Sequence, residues 1–207
     1  ALGLYDLELA LHVAQAAERD PRDYLPVLEG LSQLPDRLCC MKIDKLLKRY
    51  NKALKHAIAA GESQWAEARG LMVDHALYVV AAAELRGVKG REEHWREAMF
   101  EYGNHLDQGG ANKDAGIAYM ACGKVSEACH SFQQSGDWRL MFLLMHQRQA
   151  TKEELSSAGY QMAEHLRGGG SKADAASVYS EYCRDADEAV ACLCEGALFV
   201  EAARAAY

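Results

Sequence analysis

Two stretches of this chain, residues 102–146 and 162–207, carry one pattern twice. Tyr102-Gly-Asn-His-Leu106 and Met162-Ala-Glu-His-Leu166 open it, and double glycines follow at Gly109-Gly110 and Gly169-Gly170. Asp114-Ala115 answers to Asp174-Ala175, Tyr119 to Tyr179, and Glu127-Ala128 to Glu188-Ala189. The spacing is therefore 60 residues (119 to 179) and, after a one-residue slip, 61 (127 to 188). Recurrence at a fixed spacing marks a stacked architecture, because a single unit cannot bury its apolar face without neighbours. Such arrays present surfaces to partners more readily than they house chemistry.

The repeated unit reads as helix. The 207 residues include only 3 prolines, half are apolar, and alanine is abundant where alternating β-branched runs are absent. Asp20-Pro21 is an N-cap acid with proline at the first helical position, and Pro35 closes that helix. Ile43, Leu46, Leu47, Tyr50, Leu54, Ala57 and Ile58 recur at three and four residues. They predict one amphipathic helix stopped by Gly61. A helix follows from Trp65 to Leu71, then one capped by Asp74 and reaching Leu85, then a longer one from Glu92 to Leu106. Beyond it the pattern settles into pairs. Lys113–Cys122 and Val125–Gln134 are divided by Gly123, and Asp137 caps Trp138–Gln147. Thr151 and Glu154 form a capping box for a helix to Arg167. Ser171 caps Lys172–Cys183, Asp185 caps Ala186–Glu195, and Gly196 precedes a last helical stretch to Tyr207. With alanines such as Ala118, Ala128 and Ala175 at the contacts, the expected fold is all-α. It is an α-solenoid of antiparallel helix pairs, tetratricopeptide-like without the strict spacing of about 34 residues. Residues 1–207 read as a single helical-repeat segment of a longer protein, since the chain lacks an initiating methionine and ends inside a helical pattern.

No catalytic pattern accompanies this architecture, and the chain is read as a non-enzyme without a cofactor. Gly168-Gly-Gly170 before Ser171-Lys172 does not match the phosphate-loop spacing and follows a helix where that motif needs a strand. Its twin at Gly109-Gly110 identifies both as inter-helix turns. Glu92-Glu93 and Glu153-Glu154 lie in first turns, where acids complement the helix dipole. No nucleophile elbow and no Ser/His/Asp set is present. Seven cysteines without a Cys-x-x-Cys predict a reduced intracellular protein; the expected location is the cytoplasm, with the nucleus as a second. A zinc reading of Cys122, Cys129 and His130 yields to that of small buried hydrophobes. No apolar run is long enough to span a membrane.

One charged feature rises above the background. Lys42, Lys45, Lys48, Arg49, Lys52 and Lys55 place six cations against one acid, Asp44. That is +5 over fourteen residues in a chain of net −7, leaving −12 elsewhere (−7 − 5). On one helix they would form a stripe opposite the apolar face, ending at His56. Such a stripe suits contact with tRNA phosphates or an acidic partner surface. The preferred reading is a solvated face, neutralised by acids of the adjacent helix.

Tyr5-Asp-Leu-Glu-Leu-Ala10, Asp20-Pro21 with Tyr24-Leu25-Pro26, and Ile43-Asp44-Lys45 with Leu47-Lys48-Arg49-Tyr50 together resemble the family of the largest, scaffold subunit of the Elongator complex. Gly136-Asp137-Trp138, Thr151-Lys-Glu-Glu-Leu155, Asp174-Ala175-Ala176 and Glu195-Gly196-Ala197 continue the likeness in order, so it spans nearly the whole chain. The resemblance implies a tetratricopeptide-like helical region that lies downstream of β-propellers in the intact protein. The complex so implied modifies wobble uridines of tRNA, with the chemistry in a separate radical-SAM/acetyltransferase subunit. Implied partners are the other Elongator subunits, a second copy bound through a region mostly beyond Tyr207, and tRNA. The other reading of the repeat alone is a generic adaptor of a vesicle-coat or transport complex.

Overall fold

In the computed structural model, which describes residues 1–205, all regular secondary structure is helical. The first compact unit, Ala1–Tyr102, contains α1 (Leu7–Ala16), α2 (Pro21–Ser32), α3 (Asp36–Leu46), α4 (Tyr50–Ala60), α5 (Trp65–Asp74) and α6 (Tyr78–Leu85). Helix α7 (Glu92–Gln108) runs across the boundary between the units. The second unit, from Gly103 onward, continues with α8 (Asn112–Ala121), α9 (Val125–Ser135), α10 (Trp138–Gln147), α11 (Lys152–Gly168), α12 (Lys172–Val178), α13 (Ala186–Glu195) and α14 (Phe199–Ala205). Helices adjacent in sequence pack as neighbours within each unit, as expected for an α-solenoid.

The first unit buries Ala53, Leu54, Ala57 and Met41 against Ala68, Met72, Ala81 and Leu85. Alanine at these contacts keeps the helices close. Trp65 Nε1 donates to Glu97 Oε2 at 2.7 Å, and the rings of Tyr78 and Tyr102 stack with centroids 5.8 Å apart.

In the second unit the two sequence copies become equivalent core positions. Ala115 and Ala175, Tyr119 and Tyr179, and Ala128 and Ala189 are all buried. Gly116 belongs to the same core, where a Cβ would meet the Phe132 ring at 2.6 Å. The matching positions of the second copy carry Ala176 and Leu193 (116 + 60 and 132 + 61). A smaller partner thus accompanies the larger residue, so interior volume is traded between positions.

One turn geometry recurs through both units. A residue in the left-handed region ends a helix, and the next N–H returns to the carbonyl five residues back. Arg49 N reaches Asp44 O at 2.7 Å, Leu77 N reaches Met72 O at 2.8 Å, and Ala111 N reaches Leu106 O at 2.9 Å. Lys124, Asp137, Ala150, Ser171 and Leu198 repeat it. This is the Schellman closure, whose left-handed position favours glycine. Gly110 and Gly170 fill that position in the duplicated segments, φ 75 and 87, as the double glycines imply. Gly123 and Gly136 fill it as well, φ 81 and 75, and at the remaining turns L-residues fill it: Glu18, Lys48, Ala76, Gln149 and Ala197. Left-handed backbone costs such residues about 1–2 kcal/mol, and glycine's extra unfolded entropy offsets part of the difference. Ala76→Gly is therefore expected to stabilise the chain by about 0.5–1 kcal/mol, read as a higher urea midpoint at unchanged slope.

Several sequence expectations need correction at these turns. The single amphipathic helix through residues 43–58 is two helices, broken at Leu47–Arg49 with Lys48 at φ 56. Leu46 and Leu47 do not share the buried face of Ile43 and Leu54; they are 58% and 37% exposed. Asp74 is the last residue of α5 rather than a cap, and α6 starts after Leu77. Asp137 and Ser171 occupy N-cap positions without making the side-chain cap. The Asp137 carboxylate instead accepts from Lys113 Nζ at 2.8 Å and Ser135 Oγ at 2.9 Å. The helix placed at Lys172–Cys183 is α-helical only to Val178 and widens into a π turn, Tyr179–Cys183. The Thr151–Glu154 capping box and the Asp20 and Asp185 caps form as the sequence implies. The expected helix to Tyr207 is seen as far as Ala205, and its last two residues lie outside the described residues.

The second unit carries one dense ionic cluster. Arg167 pairs with Glu195 and with Glu188, the latter at 3.0 Å, and Lys172 reaches Glu195 at 3.0 Å. Hydrogen bonds from Arg167 and then Lys172 pull the Glu195 carboxyl down to about 2 from 4.5. A depressed carboxyl stabilises the fold above its unfolded value and loses that contribution as pH falls through the folded one. Acid titration between about pH 4.5 and 2 should therefore destabilise the parent chain more steeply than Arg167→Gln. Thermal melts across that range check it, and equal slopes would contradict it.

Candidate functional site: a broken basic segment

The six cations expected on one helix are distributed over three elements. Lys42 and Lys45 lie on α3, Lys48 and Arg49 in the turn, and Lys52 and Lys55 on α4. They are all exposed, but their charges are not all available. Lys45 pairs with Glu67 of α5, and Lys55 pairs with Glu84 of α6 at 2.7 Å. Arg49 turns toward the N-terminal segment, its Nη1 donating to Gly3 O at 3.2 Å. Lys42, Lys48 and Lys52 have no ion-pair partner among the described residues. Neutralisation by neighbouring helices thus holds for Lys45 and Lys55, and three cations stay uncompensated.

Beneath the break lies a constellation without a spacing signal. Asp44, the one acid of the segment, is fully buried. Its Oδ2 accepts from Tyr5 Oη at 2.8 Å and lies 3.6 Å from His56 Nε2. Asp44 Oδ1 has no hydrogen-bond partner among the described residues. Burial, followed by the bond to Asp44, pushes the Tyr5 phenol up, so it stays a protonated donor at neutral pH. The Tyr5 ring meets the His56 ring edge-on, centroids 5.6 Å apart. Tyr5 and Arg49 together fasten residues 1–5 across the α3–α4 break. Tyr50 stacks on His75 with centroids 3.5 Å apart, joining this turn to the one after α5.

No group of three or more His, Cys, Asp or Glu side chains among the described residues is arranged to hold a metal ion. Cys122 and Cys129 instead donate to the carbonyls of Tyr119, at 3.2 Å, and Met141, at 4.0 Å. Burial raises both thiols, keeping them protonated. No helix of the described residues is long and apolar enough to cross a membrane.

The ELP1 TPR domain family matches residues 39–204. Elongator complex protein 1 of Oryctolagus cuniculus is 33% identical over 207 residues, covering 100% of this chain and 15% of that protein. The Arabidopsis thaliana protein of the same name is 29% identical over 213 residues, covering 100% of this chain and 16% of its own. That of Saccharomyces cerevisiae is 32% identical over 198 residues, covering 94% of this chain and 14% of its own. The chain thus spans about a seventh of the length of these relatives. With that family matched across both helical units, from α3 to α14, the chain belongs to the ELP1 TPR domain family.

Proposed function

We propose that this chain is a non-catalytic scaffold region of the Elongator complex, one helical-repeat segment of a longer protein. It supports subunit assembly through helical-repeat surfaces. The observation that carries the reading is the family match over residues 39–204, which also favours it over a generic coat or transport adaptor. Exposed apolar side chains at both end helices, Val13 on α1 and Phe199 and Val200 on α14, suit continuation of the stack by further helices. Its partners are the other Elongator subunits, and the intact protein forms a homodimer through a region mostly outside this chain. The assembly modifies wobble uridines of tRNA in the cytoplasm and the nucleus, with catalysis in another subunit. The test is affinity purification of the intact protein with and without this segment. Subunits missing only from the truncated sample would support the scaffold role, and identical recovery would contradict it.

A second reading rests on the uncompensated lysines. Lys42, Lys48 and Lys52 would contact tRNA phosphates directly, while Lys45, Arg49 and Lys55 stay engaged within the fold. Reversing the three free lysines to glutamate should then weaken tRNA binding. The slope of log affinity against log salt should fall by about 0.7–0.9 for each phosphate no longer neutralised. Unchanged affinity and slope would remove this reading.

A further inference from the structure

Between α2 and α3 an apolar groove of about 460 Å³ opens to solvent, with the Lys45–Glu67 pair in its lining. Val27, Gly30 and Leu31 line it from α2, and Lys42 and Leu46 line it from α3. Val27 and Leu46 are exposed. Gly30 is the more telling residue. It lies inside a helix, where glycine lowers stability relative to alanine. A Cβ there would meet no atom within 4 Å, so internal packing does not require glycine. At the groove wall, the missing side chain leaves room for another backbone to approach closely.

Charge narrows the occupant. Glu67 neutralises Lys45, so Lys42 is the unbalanced charge on the groove. An apolar slot between two helices, flanked by a free cation, suits helix-in-groove recognition, with apolar anchors below and acids beside the lysine. We infer that this groove docks an acidic amphipathic helix of a partner protein. The inference rests on the groove's own chemistry and is independent of Elongator membership.

The experiment titrates the 207-residue chain into a labelled designed peptide. That peptide carries leucines at i, i+3, i+4 and i+7 and glutamates on its other face. Two control peptides replace the glutamates by lysines or the leucines by serines. Saturable binding of the acidic peptide at about micromolar Kd, with both controls at least about ten-fold weaker, is the expected result. Gly30→Leu should fill the groove and weaken binding by about ten-fold or more, while raising the melting temperature by improving helix propensity. That pairing separates a blocked groove from a misfolded chain. Lys42→Glu should weaken the acidic peptide and remove most of its salt dependence. Equal binding of all three peptides, binding unaffected by Gly30→Leu, or no saturable binding up to about millimolar concentration would overturn the proposal. A chain that ignores the peptide but self-associates, and becomes monomeric on Gly30→Leu, would overturn it in favour of a second copy.

Discussion

Gly116→Ala is expected to destabilise the chain by about 1–3 kcal/mol, the usual penalty of overfilling a packed interior. Its Cβ would lie 2.6 Å from the buried Phe132 ring, which cannot retreat without displacing α8 from α9. Adding Phe132→Leu should recover much of that loss, because the pair then becomes the alanine and leucine that the second copy carries at 176 and 193. The coupling between the two positions should be about 1–2 kcal/mol, within the range for residues in contact. Phe132→Ala alone removes the ring without replacement and should cost about 3–5 kcal/mol. Urea denaturation of the two single variants and the double variant measures all of this. Additive losses would show that the duplicated segments do not share one packing solution.

Tyr5→Phe is the second large effect, expected to cost about 1.5–3 kcal/mol, the range for a hydrogen bond to a charged group. The phenol donates to Asp44 Oδ2 at 2.8 Å, and Oδ1 has no partner among the described residues. Deleting it leaves a fully buried carboxylate with His56 at 3.6 Å. In an Asp44→Asn background the same deletion should cost only about 0.5–1.5 kcal/mol, since a neutral acceptor is lost instead. An equal penalty in both backgrounds would mean that the phenol stabilises by packing against His56 rather than by serving the charge.

How far this fold can be read from sequence follows from its turns. Where the left-handed residue is glycine, at 110, 123 and 170, the break between helices is legible and falls where the sequence places it. Where it is Lys48 or Ala76, nothing in the residue type announces it, and helical periodicity runs straight through. Residues 43–58 therefore read as one helix although they form parts of two, and Asp74 reads as a cap although it ends α5. The hidden break also reshapes the site. A basic stripe along one helix becomes six cations on two helices and a turn, with Lys45 and Lys55 neutralised by acids from α5 and α6. Ion pairing across helices depends on which faces meet, and spacing along the chain does not encode it. The Tyr5–Asp44–His56 constellation is hidden for the same reason, with Tyr5 and Asp44 lying 39 residues apart. Caps at Asp20, Thr151 and Asp185 are local, and these are legible.

Under the proposed scaffold role, this segment would hold partners in place through its packed helices, with the chemistry in another subunit. The most direct test places Phe132→Ala in the intact protein. It measures subunit recovery and wobble-uridine modification together, with the compensated Gly116→Ala, Phe132→Leu pair as control. For a scaffold, recovery and modification should fall in parallel with Phe132→Ala and return in the compensated variant. A fully assembled complex that has lost modification would contradict it, placing chemistry in a segment assigned none.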